Sequence, residues 1–214
     1  LERVLKWVAT EEVFAEQLEL SLTKDGSVHI VPIKGKFKPI SKLPASVQLH
    51  GAKKAPSYEL FSQVNTRANE ALVDFVVKQI KGKQLTELYA GSGNFSFPLQ
   101  RIGKRVVAVE ASKELVDRAS GKGVQFVCAL AEKYGRQNKL VGSVLLDPPR
   151  GGAKSCVEGF GSDISEVVYV SCNPATLGRD LEILNRKGLK IEMVTLFDMF
   201  PQTAHVECVA VLRR

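Results

Sequence analysis

The rhythm of apolar and polar positions changes near residue 65. Before it, FAEQLELSLTKDGSVHIVPI alternates apolar and polar residues around Lys24-Asp25-Gly26, which predicts a β-hairpin. KGKFKPISKLPASVQLHGAKKAPS follows, rich in Lys, Pro and Gly, and reads as a basic, solvated connection that cannot hold a long helix. From Asn65, NTRANEALVDFVVKQIKG places Ala71, Leu72, Phe75, Val76 and Ile80 at helical spacing, with Gly82 as a stop. Short β-rich runs then alternate with helical segments: LTELYA, VVAVE, VQFVC, SVLLD and EVVYVSC. Such alternation builds a parallel sheet with helices on both faces, the α/β class. LKIEMVTLFDMF and HVECVAVLR, joined by a short Pro-containing loop, break the alternation and predict an antiparallel pair at the end of the sheet. The expected organisation is a small β-containing part with its basic linker over 1–60 and one main domain over 61–214.

Composition narrows the class. A hydrophobic fraction of 44% with 25% charged residues excludes a disordered chain. No run approaches the roughly 20 apolar residues of a membrane span, and the start LERVLKWVATEE is too charged for a signal peptide, so a cytoplasmic protein with no membrane partner is expected. That start carries no methionine and reads as a piece of a longer or processed protein. A net charge of +7 suits a polyanion such as RNA as well as plain solubility. The four cysteines form no C-x-x-C pair and stand at no metal-ligand spacing from a histidine, so no metal site is expected and a reducing compartment is the simplest reading.

Candidate chemistry sits where strands end. In ELYAGSGNFSFPL, Gly91 and Gly93 allow a tight turn and close approach of a ligand to the backbone at a helix start. Ser96 is small enough that a dinucleotide-binding fingerprint stays open. Glu110, at the end of VVAVE, is placed to bind a ribose diol of either NAD or S-adenosylmethionine, or else to cap the next helix. Asp147 closes SVLLD and is followed by two stiffening prolines and Arg150. Ligands of open α/β sheets bind outside such strand ends, which puts Asp147 and Cys172 in one crevice. Cys172 is read either as a small buried residue or as a nucleophile, activated by the helix start that follows it and by Arg150 or Arg179.

FSQVN, ELYAGSGNFSFPL, LLDPPRGG, YVSCNPATLGRDL and DMFPQTAHVECVAVL stand in the order found in the RNA uracil-5-methyltransferase family, and the chain resembles that family over roughly Phe61 to Leu212. The resemblance implies a Rossmann-like class I methyltransferase sheet of seven strands, the last antiparallel, and S-adenosylmethionine as cofactor. It also implies a uridine of tRNA or rRNA as substrate. On the matching positions it implies Cys172 as nucleophile, Glu207 as base and Arg150 in handling the target base. Gln63, Tyr89, Asn94, Glu110 and Asp147 would touch the cofactor along the loop of Gly91 and Gly93. Leu130 stands where the family often has Asn or Asp beside the adenine, and His205 is read as structural or RNA-facing. The small β-barrel RNA-binding module of many members, and the cysteine cluster of some, have no counterpart here, and residues 1–60 resemble a shortened central domain. The expectation is a monomeric enzyme that adds Cys172 to C6 of uracil, methylates C5 and removes the C5 proton with Glu207. The alternatives are a catalytically inactive cofactor-binding RNA module and an NAD-binding oxidoreductase.

Overall fold

The computed structural model describes residues 17–22, 28–34, 47–49, 66–121, 123–199 and 206–214. The chain divides into two compact units, Leu1–Val64 and Asn65–Arg214.

In the first unit, β1 (Gln17–Leu22) and β2 (Val28–Lys34) pair antiparallel, with Leu22 opposite Val28. This is the hairpin that the alternating pattern predicts; its turn lies outside the described residues. The stretch read as a connection holds a third strand, β3 (Val47–Leu49), parallel to β2 at Val28–Ile30. Val-Gln-Leu is a run of three β-tolerant residues, too short to register as a strand until a partner edge supplies its hydrogen bonds.

The second unit opens with α1 (Thr66–Gln79), whose Leu72, Val73, Val76 and the following Ile80 are buried. Ala71, expected on the buried face, is exposed, and Val73 takes the inward place. There follow β4 (Gln84–Leu88), α2 (Ser96–Arg101), β5 (Arg105–Glu110), α3 (Lys113–Ala119), β6 (Gln125–Cys128), α4 (Ala131–Gln137) and β7 (Gly142–Leu146). The chain continues through α5 (Lys154–Val157), β8 (Ile164–Ser171), α6 (Pro174–Arg186), β9 (Lys190–Phe197) and β10 (Glu207–Arg213). The sheet has seven strands in the order β6-β5-β4-β7-β8-β10-β9. β4 to β8 pair in parallel, whereas β10 lies between β8 and β9 and is antiparallel to both.

The central strands are apolar on both faces because helices cover both. One core layer gathers Leu88, Leu146, Tyr169, Leu177, Leu181 and Leu184. The other gathers Leu72, Val76, Leu99, Leu145, Val168 and Val209. Strand order reverses direction at β4 and β7, and the crevice beyond their C-terminal ends is where ligands of such sheets bind. At the opposite edge, Glu166 (4% exposed) accepts hydrogen bonds from Ser143 Oγ (2.6 Å), Arg213 Nε (3.0 Å) and the Lys81 and Gly82 amides. Burial alone would raise that carboxyl, but these bonds outweigh it and hold it below its ordinary value. Among the described residues no helix is long and apolar enough to cross a membrane, and no group of His, Cys, Asp or Glu is placed to hold a metal.

Candidate active site at the C-terminal strand ends

Five sequence-predicted residues stand on five neighbouring strands, in spatial order. Glu110 ends β5, Tyr89 follows β4, Asp147 follows β7, Cys172 follows β8 and Glu207 begins β10. β10 runs the other way, so its first residue reaches the same edge of the sheet as the last residues of the others. Strands lie about 4.8 Å apart, so Tyr89 and Glu207 are separated by three spacings, about 14 Å.

On the β4 side a glycine loop forms the wall. Gly91 and Gly93 have φ of 55° and 90°. A Cβ at Gly93 would lie 2.6 Å from the Phe97 ring, so position 93 excludes a side chain on both counts. Glu110 braces this loop: its Oε2 accepts from Gly91 N (2.8 Å) and its Oε1 from Ser112 N (2.8 Å). The cap of α3 is Ser112, which accepts from Leu115 N, so helix capping is not what Glu110 does. Asn94 forms a reciprocal amide pair with Asn69 of α1 (3.0 and 3.1 Å). Tyr89 has φ 64°, a conformation unfavourable for a bulky side chain, and its hydroxyl donates to Glu132 of α4 (2.7 Å). Leu130 is 59% exposed at the start of α4 and makes no side-chain cap. The polar group of that turn is therefore Glu132, two residues on.

Beneath the loop, Glu87 is fully buried within β4 and accepts a hydrogen bond from Ser96, while its Oε1 has no partner among the described residues. Burial, only partly offset by the Ser96 bond, together with the charge of Asp147, lifts its carboxyl to about 8. Ser96, where a dinucleotide fingerprint wants a third small residue, is thus a buried hydrogen-bond donor. Sequence reasoning missed Glu87, although an acid inside the otherwise apolar LTELYA is itself a signal.

On the other side Cys172 and Glu207 face one another. Cys208 pairs with Ser171 across β10 and β8, so the next step of the register sets Glu207 opposite Cys172. Directly opposed residues of antiparallel strands have Cα atoms roughly 4.5–5.5 Å apart. Glu207 is 6% exposed, and its Oε2 has no hydrogen-bond partner among the described residues. Burial raises its carboxyl to about 7. Asp147 is raised to about 7 by burial and then by the charge of Glu207. The Cys172 thiol is half-buried; burial and the Glu207 charge push it up, while the Arg150 guanidinium pulls it down. Asn173 caps α6 by accepting from Ala175 N (3.1 Å), and Pro174 opens the helix. Arg179, one of two cations expected beside the thiol, binds Asp180 (2.8 Å) and the Gly151 carbonyl (2.9 Å) instead, leaving that place to Arg150. Gln63 and His205 lie outside the described residues.

Asp147 and Glu207 stand at the crevice with their carboxyls raised by burial, and a ligand bringing positive charge there would favour their ionised forms. A glycine loop beside a strand-end acid suits a nucleoside. Comparisons with known proteins agree with this reading. The family profile described as tRNA (Uracil-5-)-methyltransferase matches residues 48–125 and 134–214. The 23S rRNA (uracil(1939)-C(5))-methyltransferase RlmD of Pseudomonas putida is 38% identical over an aligned length of 165, gaps included, covering 70% of this chain and 36% of that protein. RlmD of Acinetobacter baylyi is 34% identical over an aligned length of 204, gaps included, covering 83% of this chain and 44% of its own length. The chain thus spans less than half the length of these relatives. Among solved structures, the Pyrococcus abyssi tRNA (uracil-54, C5)-methyltransferase in complex with S-adenosyl-L-homocysteine superposes with a TM-score of 0.74 at 23% identity, covering 99% of this chain and 65% of that one. The fold is that of the class I methyltransferases, and with the profile match covering both the glycine loop and the Cys172–Glu207 pair, the chain belongs to the tRNA (uracil-5-)-methyltransferase family.

Proposed function

We propose that this chain is the catalytic part of an S-adenosylmethionine-dependent RNA methyltransferase acting on C5 of a uridine in rRNA or tRNA, working in the cytoplasm as a monomer. The observation that carries the reading is the opposition of Cys172 and Glu207 across adjacent antiparallel strands, one a half-buried thiol and the other a buried carboxyl raised to about 7.

Gly91, Gly93, Glu110, Tyr89, Asn94 and Asp147 would hold the cofactor, with Gln63 entering from outside the described residues. S-adenosylmethionine, when bound, supplies the methyl group as a sulfonium electrophile. C5 of uracil is a poor nucleophile, so the chain must first push electrons into the ring. The Cys172 thiolate forms a bond to C6, and the resulting enolate charge falls on the ring oxygens, where Arg150 and Asp147 orient it. C5, now nucleophilic, would take the methyl group as its bond to the sulfonium sulfur breaks and the donor leaves as a neutral thioether. Glu207 removes the C5 proton, the C6–S bond breaks, and Cys172 leaves as thiolate. A carboxyl raised to about 7 is a stronger base than an ordinary one and is still half ionised near neutrality. A base stacked in RNA must first be flipped out to reach this crevice.

Methylation at C5 must expel the hydrogen there. The test is release of tritium from RNA carrying 5-tritiated uridine, with 23S rRNA fragments and tRNA in parallel. Cofactor-dependent release that Cys172→Ala abolishes supports the reading. Cofactor binding without release from either RNA points to an inactive RNA module.

A further inference from the structure

The residues that build the crevice are held by a buried cluster that takes no part in the chemistry proposed above. Asp180 of α6 is fully buried. Its Oδ2 accepts from Tyr169 Oη (2.7 Å) and Ala153 N (2.7 Å), and its Oδ1 from Arg179 Nε (2.8 Å). Arg179 Nη2 donates onward to Gly151 O (2.9 Å). At the same helix end Asn173 Nδ2 (3.1 Å) donates to Arg150 O, and the Thr176 hydroxyl has its one hydrogen within reach of both Arg150 O (3.2 Å) and Asn173 O (3.1 Å). Gly152 completes the fit, because with φ of 76° a Cβ there would lie 2.6 Å from both Asp180 Oδ2 and Arg179 Nη2. Three of the four consecutive residues Arg150 to Ala153 are therefore gripped by backbone hydrogen bonds, and the fourth admits no side chain.

The grip joins the two segments that must act together. Tyr169 lies three residues before Cys172 on β8, α6 begins just after it, and the gripped loop carries Arg150. An acid on the buried stripe of a helix is costly unless several donors meet it, and here they come from both segments.

We propose that Asp180 is a positioning residue of the active site: through Tyr169, Ala153 and Arg179 it sets where the Arg150 loop stands relative to the Cys172 turn. The proposal rests on the assignment of Cys172 as nucleophile with Arg150 beside it. Its consequence is that more thiolate forms while the loop is held, since Arg150 partly offsets the burial and the Glu207 charge that raise the thiol.

The test reads Cys172 directly, in the protein alone, without RNA or cofactor. Iodoacetamide labelling is followed across pH by mass spectrometry of the peptide containing Cys172. Arg150→Ala should move the midpoint of the rate profile up by about one pH unit, the effect of losing one nearby charge. Asp180→Asn should move it up by a good part of that. Thr176→Val, which removes the hydroxyl shared by Arg150 O and Asn173 O and leaves the buried cluster intact, should move it in the same direction and carries the test if Asp180→Asn does not fold. Neither substitution should move the midpoint further when Arg150 is already alanine, whereas a merely structural role would act equally in both backgrounds. Equal shifts in both backgrounds, or no shift from a folded Asp180→Asn or Thr176→Val protein, overturn the proposal and leave the function intact. No shift from Arg150→Ala overturns the assignment of Arg150 and the proposal with it.

Discussion

Glu207→Gln should cost turnover and change how stability depends on pH. Burial raises the Glu207 carboxyl from its ordinary 4.5 to about 7. Because the folded-state value is the higher one, the folded chain holds a proton that the unfolded chain has released, so the contribution to stability is fully present below 4.5 and is lost as pH rises through about 7. The full difference corresponds to about 3 kcal/mol, reduced to about 1–2 kcal/mol by the water that an open crevice admits. Glutamine has the same shape and does not titrate. Its buried amide has a cost of its own, but one independent of pH, so the comparison is between two pH values rather than between two proteins at one. Urea unfolding at pH 5 and pH 8 should show the wild-type protein losing about 1–2 kcal/mol more than the variant over that interval. On RNA, addition at C6 and methyl transfer precede proton removal, so the variant should accumulate a methyl-labelled protein–RNA adduct stable to denaturing electrophoresis. Turnover should fall by about 10²–10⁴-fold, the range for a general base. Equal pH dependence in the two proteins would refute the buried, raised carboxyl, and undiminished turnover would refute its role as base.

Cys172→Ala should abolish both methyl transfer and adduct, with melting temperature almost unchanged because a half-buried strand end leaves no large cavity. Calorimetry should show S-adenosylmethionine or its demethylated product binding and NAD giving no saturable signal. Gly93→Ala, strained at φ 90° and driven into Phe97, should weaken cofactor binding at least tenfold, or about 1.4 kcal/mol, in the same titration. Glu166→Ala should lower stability by about 1–3 kcal/mol at pH 7 by leaving Arg213 Nε, Ser143 Oγ and two amides without their acceptor, while Arg213 keeps Glu192 and Gln79 O. The wild-type carboxyl is held below its ordinary value, so its contribution is present above that value and fades as pH falls through the folded one; urea unfolding at pH 7 and pH 3.5 should bring variant and wild type closer at the lower pH.

What could be read from sequence follows physical rules of different reach. The central strands β5, β7 and β8 were legible because both faces are covered, which makes them largely apolar runs ending abruptly at a polar residue. Those endings single out Glu110, Asp147 and Cys172 in the sequence alone. Glu207 was legible only through the family resemblance, since one glutamate before an apolar strand is ordinary. It becomes distinctive when register sets it opposite Cys172. The brace from Glu110 to Gly91 N and the pair of Asn94 with Asn69 depend on contacts 19 and 25 residues apart, beyond any local pattern. Asp180 did leave a trace: it shares the buried stripe of α6 with Leu177, Leu181 and Leu184. A charged residue at a core position of a helix demands buried donors, and that demand could have been read without knowing the donors were Tyr169 and the loop after Pro149.

The place of β10 has a consequence for the order of folding. β8 and β9 are made first yet never pair; each must leave an edge free for a strand that does not yet exist. Until β10 enters, that half of the sheet is an open slot bordered by unsatisfied backbone groups, a template for mispairing with other chains. The insertion that closes the slot also delivers the carboxyl to the thiol. The glycine loop of Gly91 and Gly93 is built wholly from earlier strands, so its place in the sheet does not depend on that insertion. On the proposed roles, the ligand-holding loop depends on strands made before β10, whereas the thiol–carboxyl pair depends on β10 itself.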